Sequence, residues 1–97
     1  MGAMRFEWDE QKSRSNQRKH GVSFVEARTA FLDDNARVLP DPDHSDDEER
    51  FVLLGLSISV RVLVICHCYR HGDEVIHIIS ARRADREEIK QYQWWMR

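Results

Sequence analysis

His67, Tyr69, Arg82 and Arg83 carry the side chains in this chain best suited to proton transfer and anion binding. His67 and Tyr69 stand two apart in the run 60–70. In a strand they share one face, and each can move a proton or hydrogen-bond a phosphate. A structural histidine beside an interface tyrosine is the plain alternative. Arg82 and Arg83 fall where a last helix is expected to start. Two guanidinium forks beside a helix N-terminus make an anion site; a solvated pair bridging to Asp85 or Glu87 is the competing reading. Lys12, Asn16, Lys19 and His20 recur near one face of an early helix. Such a face tracks a phosphate backbone or is merely solvated. Trp94 and Trp95 are adjacent. Helical neighbours diverge by about 100°, which sends one inward and turns the other towards a partner.

Cys66-His67-Cys68 with His71 invites a zinc reading. Strand alternation turns His67 away from both sulfurs, and ligand pairs usually have two residues between them. No metal site and no cofactor are expected, and the cysteines read as small buried hydrophobes. The chain has no phosphate-binding glycine loop, dinucleotide-binding glycine pattern or metalloprotease motif, and no convincing nucleophile triad.

These residues must be positioned by a short list of elements. Residues 4–8 alternate as a strand. Asp9 caps a helix over 10–20 that holds no aliphatic or aromatic residue, and Gly21 suits its C-terminal end. Ser23 and Glu26 have capping-box spacing at the start of a second helix that ends at residues 33–35. A short strand at 37–39 and an acidic loop follow. Strands are expected over 50–58, 60–70 and 74–81, with a hairpin turn at His71-Gly72-Asp73. A helix over 84–96 closes the chain. The expectation is an α+β domain: an antiparallel sheet of about four strands, two N-terminal helices and one C-terminal helix. The helices cover one face. In the run 60–70, Val60, Val62, Val64, Cys66 and Cys68 are assigned to that covered face, and Arg61, Leu63, Ile65, His67 and Tyr69 to the open one.

The 97 residues make one domain, and Met1, Gly2 and Ala3 read as a remnant ahead of a natural start at Met4. The net charge of −2 is unevenly spread, because residues 29–50 hold two basic and eight acidic side chains. Both flanking stretches are therefore net basic, which keeps nucleic-acid contact open. No run approaches the roughly 20 apolar residues of a membrane span. Together with the missing signal-peptide pattern and the sparse cysteines, this points to the cytoplasm.

Three blocks then carry a resemblance. Phe6-Glu7-Trp8-Asp9-Glu10 with Lys19-His20-Gly21-Val22-Ser23-Phe24 comes first. Glu49-Arg50-Phe51 with Leu54-Gly55-Leu56-Ser57 follows, and then His67-Cys68-Tyr69-Arg70 with Ile78-Ile79-Ser80-Ala81-Arg82-Arg83-Ala84 and Tyr92. Across residues 4–92 the sequence resembles the BrnT toxins. The resemblance implies a RelE-like fold and a ribonuclease that stops translation and growth. It also implies a BrnA-type antitoxin as partner, with operator DNA bound only through that antitoxin. His77 stands where relatives often carry Arg. On this reading His67, Tyr69 and Arg82 are catalytic and act on RNA without a metal. Lys12, Lys19, His20 and Arg83 bind RNA, while Trp94 and Trp95 meet the antitoxin. The rival is a non-enzymatic protein-binding module.

Overall fold

The computed structural model describes residues 4–42 and 48–96. Among these the chain runs β1 (Arg5–Glu7), α1 (Glu10–His20), α2 (Phe24–Thr29), a 3₁₀ turn (Ala30–Leu32) and β2 (Arg37–Pro40). It continues through β3 (Phe51–Leu56), β4 (Val62–Arg70), β5 (Val75–Arg83) and α3 (Arg86–Trp95). The expected remnant at residues 1–3 and residues 43–47 of the acidic loop lie outside the described residues.

The class is α+β, but the sheet has five strands in the order β1-β5-β4-β3-β2. It is mixed, because β1 pairs parallel with β5. The expectation of about four antiparallel strands is corrected on both counts. Short turns force β3, β4 and β5 to alternate in direction. No hairpin constrains β1, which meets its partner from the far end of the chain.

Asp9 accepts hydrogen bonds from the Gln11 and Lys12 amides, and Gly21, at φ 72°, closes the helix on the Gln17 carbonyl. α1 has no apolar stripe, so it docks through polar side chains. Ser13 Oγ accepts from the Phe24 amide at 3.1 Å. Asn16 acts as a piece of strand. β1 pairs only with Val75–His77 of β5, and Asn16 takes up the edge further along. Its amide nitrogen donates to the carbonyls of Ala81 (2.7 Å) and Val22 (2.8 Å). Its oxygen accepts from the Ala81 amide at 3.1 Å.

The main core lies between α1, α2 and the 3₁₀ turn on one side and the sheet on the other. Val22, Phe24, Ala27 and Ala30 pack on Leu53, Leu63, Ile65, Ile76, Ile78 and Ala81. α3 packs against one end of the opposite face, where Tyr92 covers Leu54 and Val64. Helices therefore lie on both faces, not one. Only half of the expected capping box at Ser23 forms. Ser23 Oγ accepts from the Glu26 amide, while the Glu26 carboxylate turns to Ser57 and Arg61. A full box forms at the start of α3, between Asp85 and Glu88.

The assignment of faces in β4 is overturned. Leu63, Ile65 and His67 are completely buried under the N-terminal helices. Val64 and Cys66 line the opposite face. β4 is apolar on both sides, so its alternation does not reveal which side the helices take. β5 carries a second surprise. Cys66 pairs with Ser80, but His67 pairs with Ile78, so Ile79 is an extra residue in a bulge. The bulge shifts the two-residue phase of the strand. Ile76, Ile78 and Ala81 all face the core. Arg82, paired with Val64, emerges on the opposite face.

Candidate active site

His67 is in the wrong place for the role expected of it. It is 0% exposed, wedged edge-on against Phe31 and near Phe51. A carbonyl can only accept, so its Nδ1–H donates to the Ile65 oxygen at 3.1 Å. Nε2 is left to face the Tyr69 hydroxyl at 3.4 Å. Burial pushes the imidazole down from its usual pKa and favours the neutral ring. Tyr69 is half-buried on the same side, and burial raises its phenol. His67 is closed off from solvent, while Tyr69 lines a cleft of about 560 Å³ on the helical side with Phe6, Phe31 and Val38.

The other accessible face is the one opposite α1 and α2, beyond the part covered by α3. A polar cleft of about 200 Å³ opens there, lined among others by His20, Asp41, Cys66, Ser80 and Arg82. Two features build it. The bulge at Ile79 aims Arg82 into it. Asn16, one helical turn before His20, ties the end of α1 to the edge of β5. The Arg82 guanidinium is held by both oxygens of Glu88 at 2.8 and 2.9 Å. The ion pair raises the Arg82 pKa and keeps the charge fixed. Cys66 reaches Asp41 at 3.5 Å. Burial, with Asp41 beside it, pushes that thiol up to about 11, so it is a protonated lining group near neutrality and not a thiolate.

Arg82 and Arg83 do not open the last helix. They are the final residues of β5, and the amides at the start of α3 are served by Asp85 and Glu88. The expected anion site at a helix N-terminus is therefore already filled by the chain itself. Arg83 does not stand beside Arg82 either. It pairs in register with Leu63 on the helical face, and its charge is felt by Glu26. Lys12, Lys19 and His20 are exposed along α1, but Asn16 between them is turned into the sheet. Trp95 packs with the α3 cluster under the Arg37 guanidinium, 5.5 Å from its ring centroid. Trp94 is 63% exposed.

Sequence reasoning passed over a second polar group on the same face. The parallel register sets Glu7 beside His77, and the β4–β5 register sets Cys68 across from His77. Glu7 Oε2 accepts from His77 Nδ1 at 2.8 Å and from Arg70 at 3.1 Å. Arg70 also reaches Glu48 at 3.5 Å. The bond from His77 above all, then Arg70, outweighs burial and holds the Glu7 carboxyl below its usual range. The one signal in sequence was His77 itself, a titratable residue in the phase of β5 that faces away from the core.

No helix among the described residues is long and apolar enough to cross a membrane. No curated protein matches the sequence. The structure is similar to the crystal structure of the Brucella abortus ribonuclease toxin BrnT, with a TM-score of 0.64 and 26% identity. The match covers 87% of this chain and 100% of that one. A model of the BrnT ribonuclease toxins matches residues 8–88. On that match the chain belongs to the BrnT family of ribonuclease toxins of type II toxin–antitoxin systems.

Proposed function

We propose that this chain cleaves single-stranded RNA without a metal ion, on the face of the sheet opposite α1 and α2, and so halts translation and growth. Membership of the family gives it a toxin's role, with RNA as substrate and an antitoxin as partner. The observation that supports this choice of face is Arg82. It is a half-exposed guanidinium aimed by a bulge into a polar cleft and held in position by Glu88. A planar fork of this kind suits the oxygens of an RNA phosphate. His20 and Ser80 line the same cleft and add hydrogen-bonding groups. Lys19 and Lys12 extend the exposed positive charge along α1.

In metal-independent cleavage the ribose 2′-oxygen attacks the adjacent phosphorus and the 5′-oxygen leaves. The reaction needs a proton acceptor, a proton donor and positive charge at the phosphate. The reading assigns that charge to arginine. In this reading His67, sealed in the core, and Tyr69, half-buried on the helical side, take no part, and neither does Arg83.

The partner in this reading is a BrnA-type antitoxin that carries the contact with operator DNA and works with the toxin in the cytoplasm. Trp94 offers it an exposed aromatic at the end of α3. The arrangement is also read as RelE-like. Expression of the parent and of Arg82→Ala in growing cells tests the function. The parent arrests growth and yields RNA fragments ending in 2′,3′-cyclic phosphate and 5′-hydroxyl, while a folded Arg82→Ala protein arrests growth less and yields fewer such fragments. Equal arrest by both proteins would remove Arg82 from the site.

A further inference from the structure

We propose that His77, oriented by Glu7 and flanked by Arg70, is the catalytic residue that takes the proton from the attacking ribose hydroxyl. The inference rests on the ribonuclease reading above. It concerns a cluster of side chains distinct from the Arg82 cleft.

The geometry is that of an oriented base. A carboxylate can only accept, so the 2.8 Å contact fixes the proton of His77 on Nδ1. Nε2 is then the acceptor. Glu7 sets the plane of the ring and stabilises the imidazolium that forms, as the carboxylate does in acyl-transfer triads. His77 keeps 18% of its side-chain surface exposed, whereas His67 is sealed in the core. His20 is exposed too, but no hydrogen bond orients its ring among the described residues.

The surroundings supply the second requirement, positive charge at the phosphorus. Arg70 is 3.1 Å from the same Glu7 oxygen that holds His77. The shared Glu7 oxygen thus gathers the imidazole and a guanidinium into one cluster. Among the described residues, the charged and titratable groups placed with His77 are Glu7 from β1 and Arg70 and Cys68 from β4, with Glu48, ahead of β3, on Arg70. Glu48 reaches the outer nitrogen of Arg70 at 3.5 Å. It is the group an incoming phosphate replaces, while Glu7 stays on His77.

The step balances within the RNA. The 2′-O–H bond breaks and its proton passes to His77 Nε2. An O2′–P bond forms, the P–O5′ bond breaks, and the departing 5′-oxygen takes a proton from water. The imidazolium returns its proton to solvent. The products are a 2′,3′-cyclic phosphate and a 5′-hydroxyl, and no oxidant, metal or second substrate is consumed.

His77 and Arg82 are five residues apart on β5 with one of them in the bulge. At ~3.3 Å per residue their backbones are roughly 15 Å apart. They therefore act on different phosphates of one strand laid along the open face. Arg82 holds a flanking phosphate and His77 serves the one that reacts.

The two roles predict different kinetics, and this separates them. Cleavage of a short single-stranded RNA is followed from pH 5 to 9 for the parent, His77→Gln, Glu7→Gln and Arg82→Ala. Far-ultraviolet circular dichroism confirms the fold of each. His77→Gln is expected to lose about a hundredfold or more in kcat with little change in KM. Glu7→Gln stays active at reduced kcat. The loss falls in kcat and not in KM, because a neutral amide still orients the ring but no longer stabilises the charge formed in the step. Arg82→Ala mainly raises KM. If Arg82→Ala loses cleavage while folded His77→Gln retains the parent's kcat and profile, the ribonuclease reading stands and this assignment is overturned. If the parent cleaves nothing, the reading itself falls and takes the assignment with it.

Discussion

Asn16 is the most exposing single test of how this fold holds its site. It lies on a helix with no apolar residue and is 8% exposed. Its side chain makes three hydrogen bonds, two of them to the backbone of Ala81. Asn16→Ala removes all three at a typical net value of ~1 kcal/mol each. Alanine's better helix propensity returns ~0.5 kcal/mol. The net loss is then ~2.5 kcal/mol, a large share of a stability usually between about 5 and 15 kcal/mol. For a domain of this size that lowers Tm by roughly 10–20 °C. Gln17→Ala, on the exposed side of the same helix, should stay within about 0.5 kcal/mol of the parent. Thermal and urea unfolding followed by circular dichroism read both variants. Because Asn16 also fixes the strand edge just before Arg82, RNA cleavage should fall even at temperatures where the variant stays folded. A loss below about 1 kcal/mol with normal cleavage would show that α1 is held by something else, and that polar docking of this helix does not position the cleft.

Three further outcomes follow from local geometry. Val60 sits at φ 60° in the β3–β4 turn and is 78% exposed. A left-handed conformation costs a branched residue ~1–2 kcal/mol, more than the roughly 0.5–1 kcal/mol that glycine loses in flexibility. Val60→Gly should therefore raise the urea midpoint, and a lower midpoint would contradict the strain. His67 is buried neutral with its pKa depressed. Its contribution is intact above the unfolded imidazole value of about 6.5 and is lost as pH falls below it. The difference in stability between the parent and His67→Phe should change between pH 7 and 5, and no change would mean that the ring protonates freely. Burial pushes the Asp33 carboxyl up, but bonds from Tyr92, Leu56 and Asn35 outweigh it and leave the group below its usual value. Its stabilisation is present above the unfolded carboxyl value of about 3.9 and fades as pH falls through the folded one. Tyr92→Phe should flatten acid unfolding in that window, and an unchanged acid limb would remove Asp33 from the account.

Sequence reasoning reached the elements that are set locally. Asp9, Gly21 and Ser23 punctuate the first two helices where their chemistry says they should, and the turn at His71-Gly72-Asp73 takes the left-handed conformations such residues tolerate. The site was harder because it depends on relations between distant residues. β4 has apolar residues in both phases, so nothing in its own pattern said that Leu63, Ile65 and His67 would be the buried set. The bulge at Ile79 leaves no mark in composition, yet it decides that Arg82 and Arg83 face opposite ways. The Glu7–His77 pair exists only through a parallel register between the first strand and the last. An isolated histidine and an isolated glutamate carry no sign of it. α1 shows the reverse. Its lack of apolar residues was plain, and the structure supplies the reason in Ser13 and Asn16.

The most direct test of the central claim is cleavage of single-stranded RNA by antitoxin-free protein in EDTA, beside folded Arg82→Ala. The account predicts cleavage by the parent that is undiminished by the chelator. At limiting RNA it predicts a loss of at least about tenfold in the variant, the value of a charged hydrogen bond to phosphate. Cleavage abolished by EDTA, or equal in both proteins, would contradict a metal-independent ribonuclease with its site on this face of the sheet.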